Sequence, residues 1–115
     1  MPANKPIRER DIERYLVQQV KLLGGEVRKV KWIGRTGAPD RLVMLPGGTL
    51  SSCGQNLSKP RSIWVELKAP GVLPEPHQMR EHTRMRRMGQ RVEVVDSFMA
   101  VDQVLGINHK LKGDK

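Results

Sequence analysis

The stretch Ser62-Ile63-Trp64-Val65-Glu66-Leu67-Lys68 decides how the chain is read. Ile, Trp and Val are strand formers and the run is short, so it predicts a β-strand. Side chains alternate across a strand, which sets Ile63, Val65 and Leu67 on one face and Trp64, Glu66 and Lys68 on the other. A carboxylate and an ammonium group then share one face of a strand that otherwise suits a core. Burying such groups unpaired costs several kcal/mol each, so the place that receives Glu66 must supply a partner, water or a metal ion. Upstream, Asp40 follows the small-residue string Gly37-Ala38-Pro39 and opens another predicted strand, DRLVML, to about Leu45. A spacer of 25 residues separates the two acids.

The flanking segments predict what surrounds these strands. Ile12, Leu16, Val20 and Leu23 recur at three- and four-residue steps, the stripe of a helix from about Ile7 to Leu23 that Gly24-Gly25 stops. Glu9 falls within about 30° of the centre of that stripe and Glu13 at about 65°. Glu9 is therefore either a first-turn acid favoured by the helix dipole or a side chain aimed into the site of Asp40 and Glu66. Glu26 to Ile33 reads as a strand whose alternation is broken by Val27, Val30 and Trp32, so a bulge fits. Gly34 to Pro39 is a loop whose small residues permit close approach of a ligand backbone. Residues 46–61 form a long polar loop with room for substrate or a second subunit. A helix from about Glu75 to Met88 carries a thin apolar set, Met79, Met85 and Met88, with Gln78 in its first turn. Arg91 to Asp96 is a further strand, and Ser97 caps a final helix, Phe98 to Leu105. A helix between two strands of one sheet implies a crossover and a mixed sheet flanked by helices. One domain spanning 1–115 is expected, with a flexible arm at 1–6 and a flexible tail at 108–115.

The 115 residues carry a formal net charge of +9, which favours a polyanionic partner, nucleic acid first. Arg28, Lys29, Lys31 and Arg35 crowd one strand and its loop; Arg80, Arg84 and Arg87 lie on the polar face of the second helix. Cations beside a site built of acids suit phosphates that must approach those acids, and arginine's planar fork donates two hydrogen bonds at once. Solvated surface charge is the bland alternative for both groups. No apolar run approaches the ~20 residues of a membrane span, and MPANKPIRERD has no apolar core of a signal peptide. The single cysteine, Cys53, makes no internal disulfide and fits a reducing cytoplasm. His77 and His82 are five apart, a poor spacing for zinc on one helical face, and no Gly-rich phosphate loop calls for a nucleotide cofactor. Trp32, Trp64, Tyr15 and Phe98 are scattered, which disfavours a dedicated single-strand binder.

Asp40 and Glu66 supply hard oxygen ligands suited to Mg²⁺ or Mn²⁺, and the carbonyl of Leu67 offers another. Glu9 then holds a water or a second ion, and Lys68 steadies developing negative charge. At these residues the chain resembles the PD-(D/E)XK nuclease superfamily, and within it the VRR-NUC (virus-type replication-repair nuclease) family. The resemblance is carried by Glu9, by Gly37-Ala38-Pro39-Asp40, by Val65-Glu66-Leu67-Lys68 and by Gln78, and runs from about Arg8 to Val104. It implies an α/β fold with an αβββαβα core and metal-dependent hydrolysis of DNA. It implies metal-binding acids at Glu9, Asp40 and Glu66, a catalytic lysine at Lys68 and a glutamine at Gln78; Glu13 is close enough to replace Glu9. Short stand-alone members that resemble this chain are associated with homodimers that cut four-way (Holliday) junctions. Members fused to larger repair proteins act as monomers on flaps and ends. The expected role is therefore a dimeric nuclease for branched DNA. A monomeric flap or end nuclease, a non-catalytic DNA-binding module and an RNA-binding recruiter are the alternatives.

Overall fold

A computed structural model describes residues 5–47 and 59–107. The stretch that opened the reading is β3 (Arg61–Leu67), a central strand. Before it come α1 (Glu9–Leu22), β1 (Glu26–Lys29) and β2 (Arg41–Leu45). After it come α2 (Pro76–Arg87), β4 (Val92–Val95) and α3 (Phe98–Leu105). The sheet order is β1-β2-β3-β4, antiparallel except for the parallel pair β3 and β4. A parallel neighbour cannot be reached by a hairpin, and α2 is the crossover that reaches it. The expected αβββαβα order and mixed sheet are thus the observed ones.

The two faces of β3 meet different surroundings. Ile63, Val65 and Leu67 join Val43, Leu45 and Val95 beneath Ile12, Leu16 and Val20 of α1 and Val101 and Leu105 of α3. These aliphatic side chains form the core, at roughly 1.5–3 kcal/mol for each one fully buried. The helices are also latched by a polar contact: the Tyr15 hydroxyl donates to the Asp102 carboxylate at 2.9 Å, and the Tyr15 and Phe98 rings lie 4.8 Å apart. Ser97 caps α3 as expected, its hydroxyl accepting from the Ala100 N–H at 3.0 Å. Gly25 lets the chain turn tightly from α1 into the sheet, because a Cβ there would lie 2.3 Å from the Met44 carbonyl oxygen. On the other face, α2 lies over Trp64 and Glu66 through Gln78, His82 and Met85.

Two expectations change. β1 ends at Lys29 rather than running on to Ile33 through a bulge. The Val30 N–H still bonds the Asp40 carbonyl, after which Trp32 folds back to donate to the Pro39 carbonyl, so the chain leaves the sheet edge. On α2 the buried set is Glu81, His82 and Met85, whereas Met79 and Met88 are exposed. The helix covers a polar site and not the core, so its apolar residues misreport its inner face. At φ 86°, Gly37 also lets α2 approach the loop closely, since a Cβ there would lie 2.9 Å from the His77 carbonyl oxygen. The expected tail at 108–115, residues 1–4 of the arm, and most of the 46–61 loop with Cys53 lie outside the described residues. Among those described, no helix is long and apolar enough to cross a membrane.

Candidate active site

Glu66 stands near the end of β3, buried, on the face that α2 covers. The register pairs Arg41 with Val65 and Leu42 with Trp64. One step further along it sets Asp40 opposite Glu66. Two elements thus converge on the carboxylate. From α2, the Gln78 amide nitrogen donates to Glu66 Oε2 at 3.3 Å, and His82 Nε2 lies 3.2 Å from Oε1. The Gln78 amide is oriented by its other end, which accepts the Glu75 N–H at 2.7 Å and closes a capping box. That bond fixes which end of the amide faces the acid. Gln78 and His82 are four apart and so share one helical face.

Burial is the largest influence on the Glu66 carboxyl and pushes its pKa up to about 7. The Lys68 ammonium pulls it down, while the negative charges of Asp40 and Glu9 push it up again. Burial also lowers the His82 pKa, helped by Arg86 and Lys68. A neutral His82 is therefore the donor to the carboxylate through Nε2–H. Two hydrogen bonds and one lysine do not offset the desolvation of this acid, which leaves a place for further positive charge.

The other acids are placed differently. Asp40 is exposed at the mouth of β2, its carboxylate 2.8 Å from Arg41. Arg41 points to the core side at 7% exposure and also binds Glu13 at 2.7 Å. Glu13 is thereby committed to Arg41, and Glu9 is the acid of α1 whose charge is felt at Glu66. Glu9 is nonetheless exposed, because as the first residue of α1 it lies beyond the packed stripe. Lys68 follows the last residue of β3, half-buried, its N–H bonded to the Val95 carbonyl.

Asp40 and Glu66 bring two carboxylates opposite each other, and Glu9 is near enough for its charge to act on Glu66. Among the described residues no three His, Cys, Asp or Glu side chains close around one point. The set therefore does not fit a closed structural zinc site. It fits a hard ion that takes one or two carboxylates and keeps several waters for exchange with phosphate oxygens.

The cations divide into two groups. Arg28 pairs with Glu26 on β1. Arg35 and Arg84 converge on buried Glu81, both at 2.8 Å, and clamp the loop after β1 to α2. These bonds, Arg35 first, hold the Glu81 carboxyl down at about 2. Lys29, Lys31, Arg80 and Arg87 are exposed and in no ion pair among the described residues. Lys29, Lys31 and Arg35 line a groove of about 560 Å³ that ends at Asp40.

Sequence reasoning overlooked His82, Glu81 and Arg41. His82 is a poor zinc candidate by spacing, and its place one turn after Gln78 is the signal that assigns it to the same face. Arg41 alternates with Val43 and Leu45, the buried parity of β2, which marks a cation in need of partners.

The comparisons with known proteins bear on the fold and the family. No family model matches the chain. A solved structure described as a VRR_NUC domain superposes with a TM-score of 0.69 at 38% identity, covering 85% of this chain and 94% of that one. A protein named "Putative nuclease p44", from Acyrthosiphon pisum secondary endosymbiont phage 1, is 45% identical over 91 residues, 79% of this chain and 85% of that protein. With the strand order, Asp40 opposite Glu66 and these two relatives in hand, the chain belongs to the VRR-NUC family of nucleases.

Proposed function

We propose that the protein is a Mg²⁺- or Mn²⁺-dependent DNA endonuclease, selective for branched DNA such as four-way junctions and acting as a homodimer. The observation that carries the reading is the buried Glu66 carboxylate, opposite Asp40 and held from above by Gln78 and His82. A buried acid raised to about 7, with two other acids adding to its field, is an electrostatic invitation to a cation. Asp40, Glu66 and the Leu67 carbonyl are the groups that would hold it, with Glu9 close by. Bound there, the ion supplies Lewis-acid stabilisation of phosphate charge and a more acidic water.

The remaining roles fall to the chain's own side chains. Gln78 and His82 fix the Glu66 carboxylate, so little reorganisation is left for the reaction. Lys68 offers an ammonium beside the same acid, to orient water or to steady charge on the phosphate. Lys29 and Lys31 guide the backbone along the groove toward Asp40, and Arg80 and Arg87 offer further phosphate contacts. Arg28, Arg35 and Arg84 contribute charge to this surface while tied to Glu26 and Glu81. Exposed Met79 on α2 supplies apolar surface for a second copy, at 54% exposure. A two-fold dimer sets two sites on a two-fold junction. The phage origin of the p44 relative supports work in the cytoplasm of a bacterial or infected cell.

The test is a cleavage panel of labelled four-way junction, flap, nicked duplex, plain duplex and single strand, each with Mg²⁺, Mn²⁺ or EDTA. Paired metal-dependent cuts on the junction are expected from wild type. Asp40→Ala and Glu66→Ala should lose cleavage and keep DNA binding; activity retained in either would refute the site. Sedimentation should give about twice the 13.0 kDa chain mass. A strict monomer cutting only flaps or ends would replace the junction reading with an end-processing one.

A further inference from the structure

The chain holds two tryptophans, Trp32 and Trp64. Scattered in the sequence, they meet in the fold with ring centroids 5.2 Å apart and planes inclined by 48°. Both ring N–H groups are satisfied: Trp32 donates to the Pro39 carbonyl at 2.8 Å, and Trp64 to the Gln90 side-chain oxygen at 3.2 Å. Neither ring is buried, and neither belongs to the core beneath α1 and α3. A groove of about 430 Å³ opens over the pair, walled by Arg35, Met85 and Met88. Trp32 and Arg35 also line the groove that runs past Lys29 and Lys31 to Asp40. One hollow is cationic and the next aromatic, and two residues belong to both. On β3, Trp64 stands two residues from Glu66 on the same face, roughly 7 Å along the strand.

We propose that the Trp32–Trp64 pair, with Met88, is a stacking site for one unpaired nucleobase of the DNA whose backbone follows Lys29 and Lys31 to the acids. The cationic groove calls for phosphates, and the chemical group attached next to a phosphate is a flat heteroaromatic base. A base in duplex has both faces covered by its neighbours and cannot enter, whereas a base freed at a branch or gap has a face to offer. The placement beside the acids rests on the nuclease reading above. It deepens that reading by naming an unpaired base as the feature that separates substrate from plain duplex.

Because the two tryptophans are the chain's full complement, tryptophan emission, excited selectively over Tyr15, reports on this site alone. Wild-type protein in EDTA would be titrated with a duplex carrying one unpaired nucleotide, with the same duplex carrying an abasic residue there, and with a fully paired duplex. Emission should be quenched by the unpaired base and by neither control. Affinity for the base-bearing DNA should exceed that for the abasic DNA by about tenfold, within the range of base–aromatic stacking. Trp64→Leu should abolish that difference while far-UV circular dichroism and salt-dependent binding persist. Trp64 is chosen because Trp32 also ties down Pro39 beside Asp40. Equal affinity and equal emission for base-bearing and abasic DNA in wild type would overturn the proposal, whether or not the variant folds. Cleavage with no preference for the base would sink the stacking site and leave the nuclease. Base-dependent quenching by a protein that cuts nothing in Mg²⁺ would leave the stacking site and sink the nuclease.

Discussion

Replacing Glu66 by glutamine should make the metal-free protein more stable, and only at neutral to alkaline pH. Burial holds this carboxyl at about 7 against an ordinary 4.5. At ~1.4 kcal/mol per tenfold, the gap is worth about 3 kcal/mol. The unfolded chain releases the proton near 4.5 and the folded chain near 7, so the folded state binds more protons between those values. Stability attributable to Glu66 is then complete below 4.5, falls as pH rises, and is lost above 7. Glu66→Gln keeps the volume and an oxygen for Gln78 and removes the charge; its amide nitrogen donates to His82 Nε2 once the neutral imidazole carries its proton on Nδ1. His82 has the opposite trend, since its lowered pKa costs stability as pH falls below 6.5. It is present in both proteins and largely cancels in their difference. Urea unfolding in EDTA should show the variant more stable by about 3 kcal/mol at pH 8 and by under ~1 kcal/mol at pH 5. Mg²⁺ should stabilise wild type at pH 8 and leave the variant unmoved, because only the ionised acid gains a partner. A difference that does not vary with pH, or a variant less stable at pH 8, would refute the reasoning.

Glu81→Gln should cost about 1 kcal/mol at pH 7 by urea unfolding. The figure is discounted because Arg35 and Arg84 are 45% and 49% exposed. With its carboxyl held at about 2, Glu81 contributes fully above its unfolded value and loses that contribution as pH falls toward 2. The cost should therefore shrink to under half by pH 3, and a cost that holds constant would exclude the ion pairs as its source. Glu13→Ala should lower stability by about 1–2 kcal/mol, since it strips a carboxylate from buried Arg41. Glu9→Ala should spare stability and lower the cleavage rate more than Glu13→Ala does; single-turnover rates in the opposite order would transfer the helix acid to Glu13. Gly37→Ala should destabilise by about 1–2 kcal/mol from its positive φ alone. It should also slow cleavage, because the new Cβ presses on His77 and so on the start of α2; unchanged unfolding and turnover would show that the loop yields freely.

The sheet was legible because its strands are short, β-branched and bounded by glycine and proline. The Glu66 side of β3 was legible for a different reason: an acid amid core residues demands a partner. The inner face of α2 was not legible. Periodicity finds a buried face by its apolar residues, and this helix buries Glu81 and His82, with Gln78 half-buried, against polar groups while Met79, and Met88 just past its end, are exposed. The tryptophan pair was hidden for a related reason. Trp32 follows the point where β1 leaves the sheet, so strand alternation carries no information about its direction. Partners such as Arg35 with Glu81, or Arg41 with Glu13, are 46 and 28 positions apart, and only the fold brings them together.

The consequence lies in how α2 is held. Its inner face fixes Glu66 through Gln78 and His82, its flank secures the loop before Asp40 through Glu81, Arg35 and the contact at Gly37, and its outer face presents Arg80 and Arg87. Met85 is the one buried apolar residue of the helix. Its position therefore depends on geometry-specific polar contacts more than on non-directional burial. A helix attached in this way cannot shift without moving the acid of β3, the loop that leads to Asp40 and the exposed Arg80 and Arg87 together. That coupling gives a physical reason for a small protein to keep Glu66, a destabilising acid, beneath a polar helix: the charge costs stability, and the helix that restrains it also holds the loop before Asp40, which on the proposed function aligns the two acids for the substrate.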